Sequence, residues 1–169
     1  QGVGLDQELM NLLGNYGRAD VSLMGDELDD PFSPSSCILE AQKRLAELYG
    51  AEASYFSANG TTGALQILAH SSFKAGDLVF LPRNAHRSLW SSLVLTGARP
   101  VFLTPEWNEE WKIFQGISLA TLEKAMIQYP EAKGLFLISP TYYGVSGELE
   151  KLIEKAHQKD LVVLLDEAH

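Results

Sequence analysis

Short, wholly apolar runs alternate along this chain with longer stretches whose apolar residues recur every three or four positions. Leu78-Val79-Phe80-Leu81, Val101-Phe102-Leu103, Gly134-Leu135-Phe136-Leu137-Ile138 and Leu161-Val162-Val163-Leu164-Leu165 belong to the first kind. Continuous apolar runs of this length read as strands buried on both faces of a parallel sheet. Ser54-Tyr55-Phe56-Ser57 reads as a further strand. Helical spacing covers 5–13, with Gly14 as its stop, and 38–49, where Ser35 or Ser36 can cap and Gly50 ends the helix. It returns over 64–71, from the stretch Arg83–Ser88 to about Thr96, over 119–129 behind Ser118, and over 148–158. Strands alternating with helices give an α/β fold: a mostly parallel sheet with helices on both faces. Residues 1–36 form an N-terminal helix and acidic loop segment, and 37–169 a partial α/β large domain.

Composition narrows the possibilities. The 169 residues carry 13 basic against 22 acidic side chains, a formal charge of −9, which disfavours nucleic acid and anionic membranes as partners. The single Cys37 excludes an internal disulfide framework and fits a reducing, cytoplasmic compartment. No apolar run is long enough to span a bilayer, and no His/Cys/Asp spacing matches a metal site, so no metal is expected. Asp26, Glu27, Asp29 and Asp30 read as a solvated loop. The chain opens without methionine and closes inside a motif, so it reads as a piece of a larger protein.

Three places carry candidate chemistry. Asp166-Glu167-Ala168-His169 follows the last buried strand directly. Ligands in parallel sheets bind beyond the carboxyl ends of the strands, which puts the Asp166 carboxylate beside a bound group. A DEAH-type helicase would also need an upstream phosphate loop ending in Gly-Lys-Ser or Gly-Lys-Thr, and neither tripeptide occurs. The second place is Asn59-Gly60-Thr61-Thr62-Gly63, between a strand and a helix. Glycines there allow close backbone approach, the threonines add donors, and the free N–H groups of a helix start favour a phosphate. The plainer alternative is an Asn-Gly turn with a Thr cap. The third is His86, just past a strand at a helix start, which suits either a cap or the face of a flat ring.

The segments EAQKRLAELYGAEASYFSANGTTG (40–63), NAHRSLWSSLVLTGARPVFL (84–103), SPTYYGVSGEL (139–149) and LLDEAH (164–169) match in order and spacing the large domain of the Orn/Lys/Arg decarboxylases. These are pyridoxal phosphate-dependent enzymes of fold type I. The resemblance implies pyridoxal 5′-phosphate (PLP) as cofactor and decarboxylation of arginine, lysine or ornithine. Other chemistries of this fold type, an α-oxoamine synthase or an aminotransferase, stay open, as does a non-catalytic remnant serving assembly or regulation. By resemblance Asp166 pairs with the pyridine nitrogen, and Gly60, Thr61 and Thr62 hold the phosphate. His86 stacks on one ring face and Ala168 packs on the other. His169 sits near the phenolic oxygen or the neighbouring Schiff-base site, Thr141 approaches that oxygen as well, and His86 and His169 count as catalytic. The family's cofactor-anchoring lysine lies beyond the DEAH segment, and none of the eight lysines here has its context. These residues alone are therefore expected not to decarboxylate. A homodimer or higher homo-oligomer, and a small amino acid as the bound partner, are likewise implied by the family. Asp30-Pro31-Phe32-Ser33 departs from it, standing where members often carry Leu-His.

Overall fold

A computed structural model describes residues 29–168 together with Gln7, Glu8, Asn11 and Gly14. Most of the N-terminal helix expected over 5–13 lies outside the described residues, as do Asp26, Glu27 and His169. The chain divides into two compact units, 1–56 and 57–169, so residues 37–56 group with the first.

In the first unit, α1 (Cys37–Tyr49) ends at Gly50, whose φ of 63° is the left-handed conformation that a C-terminal stop requires. Its start corrects two expectations. Ser36 occupies the cap position but makes no side-chain capping bond. The capping oxygens belong instead to Asp29, which is buried rather than solvated. Its carboxylate accepts N–H bonds from Ser35 at 2.8 Å, Ser36 at 2.9 Å, Ile38 at 2.8 Å and Leu39 at 3.4 Å. Four orphan donors at one helix start are thus met by a residue from outside the helix. The bond from Ser35 above all, opposed by burial and helped by those from Ser36, Ile38 and Leu39, brings the Asp29 pKa from 3.8 to about 2. A lowered carboxyl pKa stabilises the fold above the unfolded value, and the benefit is lost as pH falls toward the folded value. Acid titration from about pH 4 to about pH 2 should therefore loosen the start of α1. Amide exchange at Ile38 and Leu39 should speed up in that window, and Asp29→Asn should remove the pH dependence. Ser54–Ser57, expected as a strand, is irregular. A strand exists only by pairing, and none of the described ladders includes this segment.

The second unit opens with α2 (Gly60–Ser72), four residues earlier than its apolar spacing suggested, because Gly60-Thr61-Thr62-Gly63 is itself the first turn. There follow β1 (Leu78–Pro82), α3 (Arg87–Thr96), β2 (Arg99–Leu103), the two-residue strands β3 (Trp107–Asn108) and β4 (Ile113–Phe114), α4 (Leu119–Gln128), β5 (Gly134–Ile138), α5 (Leu149–His157) and β6 (Val162–Asp166). The polar loop expected around Trp107 and Trp111 thus holds a small antiparallel hairpin, with the Trp107 and Phe114 rings edge to face at 4.9 Å.

Four strands form a parallel sheet in the order β2-β1-β5-β6. The chain steps from β1 to β2, then crosses back to β5 on the other side of β1, so strand order reverses between β1 and β5. A parallel α/β sheet opens its ligand crevice at such a reversal, beyond the carboxyl ends of the strands. Side chains alternate between the two faces as the pleat demands. Phe80, Leu135 and Leu137 join Leu122, Met126, Leu152 and Ala156 in one core beneath α4 and α5. Val79, Leu81, Phe136 and Leu164 join Leu65, Ala69, Leu89 and Leu93 in another beneath α2 and α3. Helices therefore cover both faces, as the alternating pattern foretold.

Gly134 sits where Phe73 and Phe136 meet edge to face at 5.9 Å. A Cβ there would overlap the buried Phe73 ring and stand 3.2 Å from the Val162 carbonyl oxygen. Neither neighbour is free to give way. Gly134→Ala should cost about 1–3 kcal/mol, as overpacked cores do, read as a lowered midpoint in denaturant unfolding.

Candidate active site

The pleat decides where Asp166 points. Leu164 faces the core beneath α2 and α3, and Asp166, two residues on in β6, shares that face. Asp166 pairs in register with Ile138 and is 5% exposed. Its carboxylate accepts the Ala168 N–H at 3.2 Å. Among the described residues no basic side chain forms an ion pair with it. A buried carboxylate without a cation is costly unless something positive comes to it.

On the same face lies the start of α2. The cap residue Asn59 makes no side-chain capping bond, so the helix leaves its first N–H groups and the positive end of its dipole available. Gly60 enters the helix with φ +64°, a conformation natural to glycine. Gly63 keeps the turn tight: a Cβ there would come within 2.7 Å of the Asn59 Cβ. The Ser57 hydroxyl donates to the Gly60 carbonyl at 3.1 Å and pins the turn from below.

His86 caps α3, and its Nδ1 accepts the Ser88 backbone N–H at 3.3 Å. Leaving that N–H unpaired would cost on the order of 1–3 kcal/mol. The ring nonetheless borders the hollow. His86 thus caps the helix and also borders the hollow.

These parts meet. Thr61, Thr62, His86, Asp166 and Ala168 line one hollow of about 460 Å³, together with Leu65, Asn84, Ser88, Ile138 and Tyr142. The volume lies within the range of small-molecule sites. Its walls come from the start of α2, the segment after β1, the end of β5 and the end of β6, the crevice that the strand reversal opens. Gly60 shapes the turn without lining the hollow. Thr141 lies elsewhere: its hydroxyl accepts the Val145 N–H at 3.2 Å, and it lines a neighbouring crevice of about 20 Å³, room for little more than a water. A wider depression of about 760 Å³ runs the length of β2 past Arg99, Lys124 and Glu131, and none of the residues of the first hollow line it. His70 and His157 are exposed. Among the described residues no three His, Cys, Asp or Glu side chains gather as a metal site, and no helix is long and apolar enough to cross a membrane.

Sequence reasoning did not single out Asn84, Ser88, Leu65, Ile138 or Tyr142. Asn84 and Ser88 flank His86 at spacings of two and line the same hollow. Asn84 also ties this loop to the hairpin, its amide donating to the Gln115 carbonyl at 3.1 Å.

The donor set fits PLP. A helix start with two threonine hydroxyls suits a phosphate, a buried carboxylate with no ion-pair partner among the described residues suits a protonated ring nitrogen, and a flat imidazole suits an aromatic face. Sheet, helices and crevice are those of the PLP-dependent enzymes of fold type I. Cystalysin from Treponema denticola, solved with pyridoxal 5′-phosphate, superposes with a TM-score of 0.62 over 97% of this chain and 41% of its own, at 17% identity. The constitutive lysine decarboxylase of E. coli gives 0.78 over 95% of this chain and 24% of its own, at 26% identity.

The chain belongs to the Orn/Lys/Arg decarboxylase family: the family model for the major domain matches residues 8–169. An arginine decarboxylase of Bacillus subtilis (strain 168) is 38% identical over 169 residues, which cover 100% of this chain and 34% of that protein. The chain thus spans about a third of the length of this curated relative.

Proposed function

We propose that the hollow holds pyridoxal 5′-phosphate and that the protein carrying this chain decarboxylates a basic amino acid: arginine, lysine or ornithine. One observation carries the reading. A buried carboxylate that has no cation partner among the described residues shares its hollow with an uncapped, threonine-bearing helix start. PLP, when bound, supplies an electron-accepting ring that takes up the electron pair left at Cα as CO₂ departs.

The chain's own residues have distinct tasks. Asp166 holds a positive ring nitrogen, since a neighbouring anion favours the protonated form. Thr61 and Thr62, with the first N–H groups of α2, bind the phosphate. His86 and Ala168 hold the ring between them. The fixed orientation that results is a large part of what such a site contributes. The role of His169 beside the reacting centre rests on the resemblance. The Thr141 hydroxyl accepts the Val145 N–H within its own turn and does not line this hollow.

No lysine is among the residues lining the hollow. By resemblance to the family, the covalent anchor of the cofactor is proposed to lie in the part of the family's chain beyond the DEAH segment. Borohydride reduction of the full-length protein with PLP, followed by peptide mapping, locates it; a pyridoxyl group on Lys43, Lys133 or another lysine of this stretch would overturn that placement. The formal charge of −9 favours a cationic substrate over an anionic one. A cytoplasmic homodimer completes the proposal. Full-length protein supplied with each of the three amino acids should release CO₂ and yield the matching amine. Transamination without CO₂ would instead assign another chemistry of this fold type.

A further inference from the structure

The imidazole of His86 meets Ser88 twice. Nδ1 lies 2.8 Å from the Ser88 hydroxyl and 3.3 Å from its backbone nitrogen. A backbone N–H can only donate, so Nδ1 faces it with its lone pair. The hydroxyl is a rotor and turns to donate to the same nitrogen. The proton of the neutral ring is then confined to Nε2, since the bond made by one ring nitrogen sets the state of the other. Ser88 is fixed in its turn. It is 2% exposed, and its carbonyl accepts the Ser92 hydroxyl at 2.7 Å one turn along α3.

We infer that Ser88 is a positioning residue: it locks His86 in the Nε2–H tautomer and sets the plane of the ring presented to the hollow. The inference rests on the reading of that hollow as a PLP site. With Nδ1 engaged by the helix start, Nε2–H is the ring's one remaining hydrogen-bonding group. The His86 ring therefore offers a bound molecule a donor and no acceptor. Its complement is an oxygen acceptor, such as a carboxylate or phenolate oxygen.

Neutron diffraction from deuterated crystals of the full-length protein reads the tautomer directly. Nuclear density for a deuteron on Nε2, with none on Nδ1, is the expected result. Ser88→Ala should weaken PLP binding about fivefold, the equivalent of one ordinary hydrogen bond. It should also change the induced circular dichroism of the bound cofactor, which a loss of helix stability alone would leave unmoved. Ser88→Thr keeps a hydroxyl at this position and should restore both. A deuteron on Nδ1, or a Ser88→Ala protein with wild-type affinity and dichroism, overturns the inference and leaves the site reading intact. Failure of the wild-type protein to take up PLP overturns the site reading and the positioning role with it.

Discussion

Asp166→Asn should lower kcat/KM for decarboxylation by ~10²–10³-fold, the usual loss when one preorganised charge-stabilising group is removed from a site. The substitution is a narrow one. Asparagine keeps a side-chain oxygen that can accept the Ala168 N–H, now 3.2 Å away, so the strand end need not move. What disappears is the negative charge, in a place only 5% exposed where water screens it poorly. Without that charge a ring nitrogen has no reason to keep its proton, and the ring becomes a weaker acceptor of electrons. PLP should still bind, because the proposed phosphate site, at Thr61 and Thr62, is left intact. Uptake measured by absorbance, beside CO₂ release, separates the two effects. A variant that binds PLP and works at the wild-type rate would show that Asp166 has no part in the chemistry.

The second large effect concerns the phosphate. Hydrogen bonds to a charged group are worth ~1.5–3 kcal/mol each, so Thr61→Val and Thr62→Val should each weaken PLP binding by about 10–100-fold. Valine keeps the branched shape, and both positions are exposed, so stability should barely change. The control is pyridoxal without its phosphate. It should bind weakly to the wild-type protein and to both variants alike, because the lost hydroxyls have nothing to hold. Equal losses for PLP and pyridoxal would move the phosphate site elsewhere.

The strands were legible because burial on both faces writes continuous apolar runs. Leu78–Leu81 and Gly134–Ile138 stand within a residue of their expected bounds. Ser54–Ser57 holds two aromatic residues that favour strands but needs a paired neighbour, which composition does not reveal. The β3–β4 hairpin was hidden for the opposite reason, since two-residue strands leave no period to read. Asp29 shows a third limit. A cap supplied from six to ten residues away follows no local rule, and only the folded loop brings its carboxylate to the helix start.

In the site, residue type and place in the β-α order were legible. Thr61, Thr62, His86, Asp166 and Ala168 do border one hollow. Side-chain direction was not. Asp166 is the last residue of β6, whereas Thr141 lies three residues past the end of β5 and its hydroxyl turns back into its own loop. The Nδ1 of His86 likewise turns toward Ser88, a detail two residues away in sequence that depends on the dihedral angles of a single turn.

The outer edge of β6 has a practical consequence. Among the described residues this strand pairs on one side only, and Val162 on it is 42% exposed. An apolar strand with an open row of amides is a template for any other extended chain, including its own copies. Samples of this stretch expressed by itself should therefore be prone to self-association through that rim. Charged or proline substitutions in β6 before Leu165 would be the natural means of keeping them dispersed, at a distance from the carboxylate at its tip.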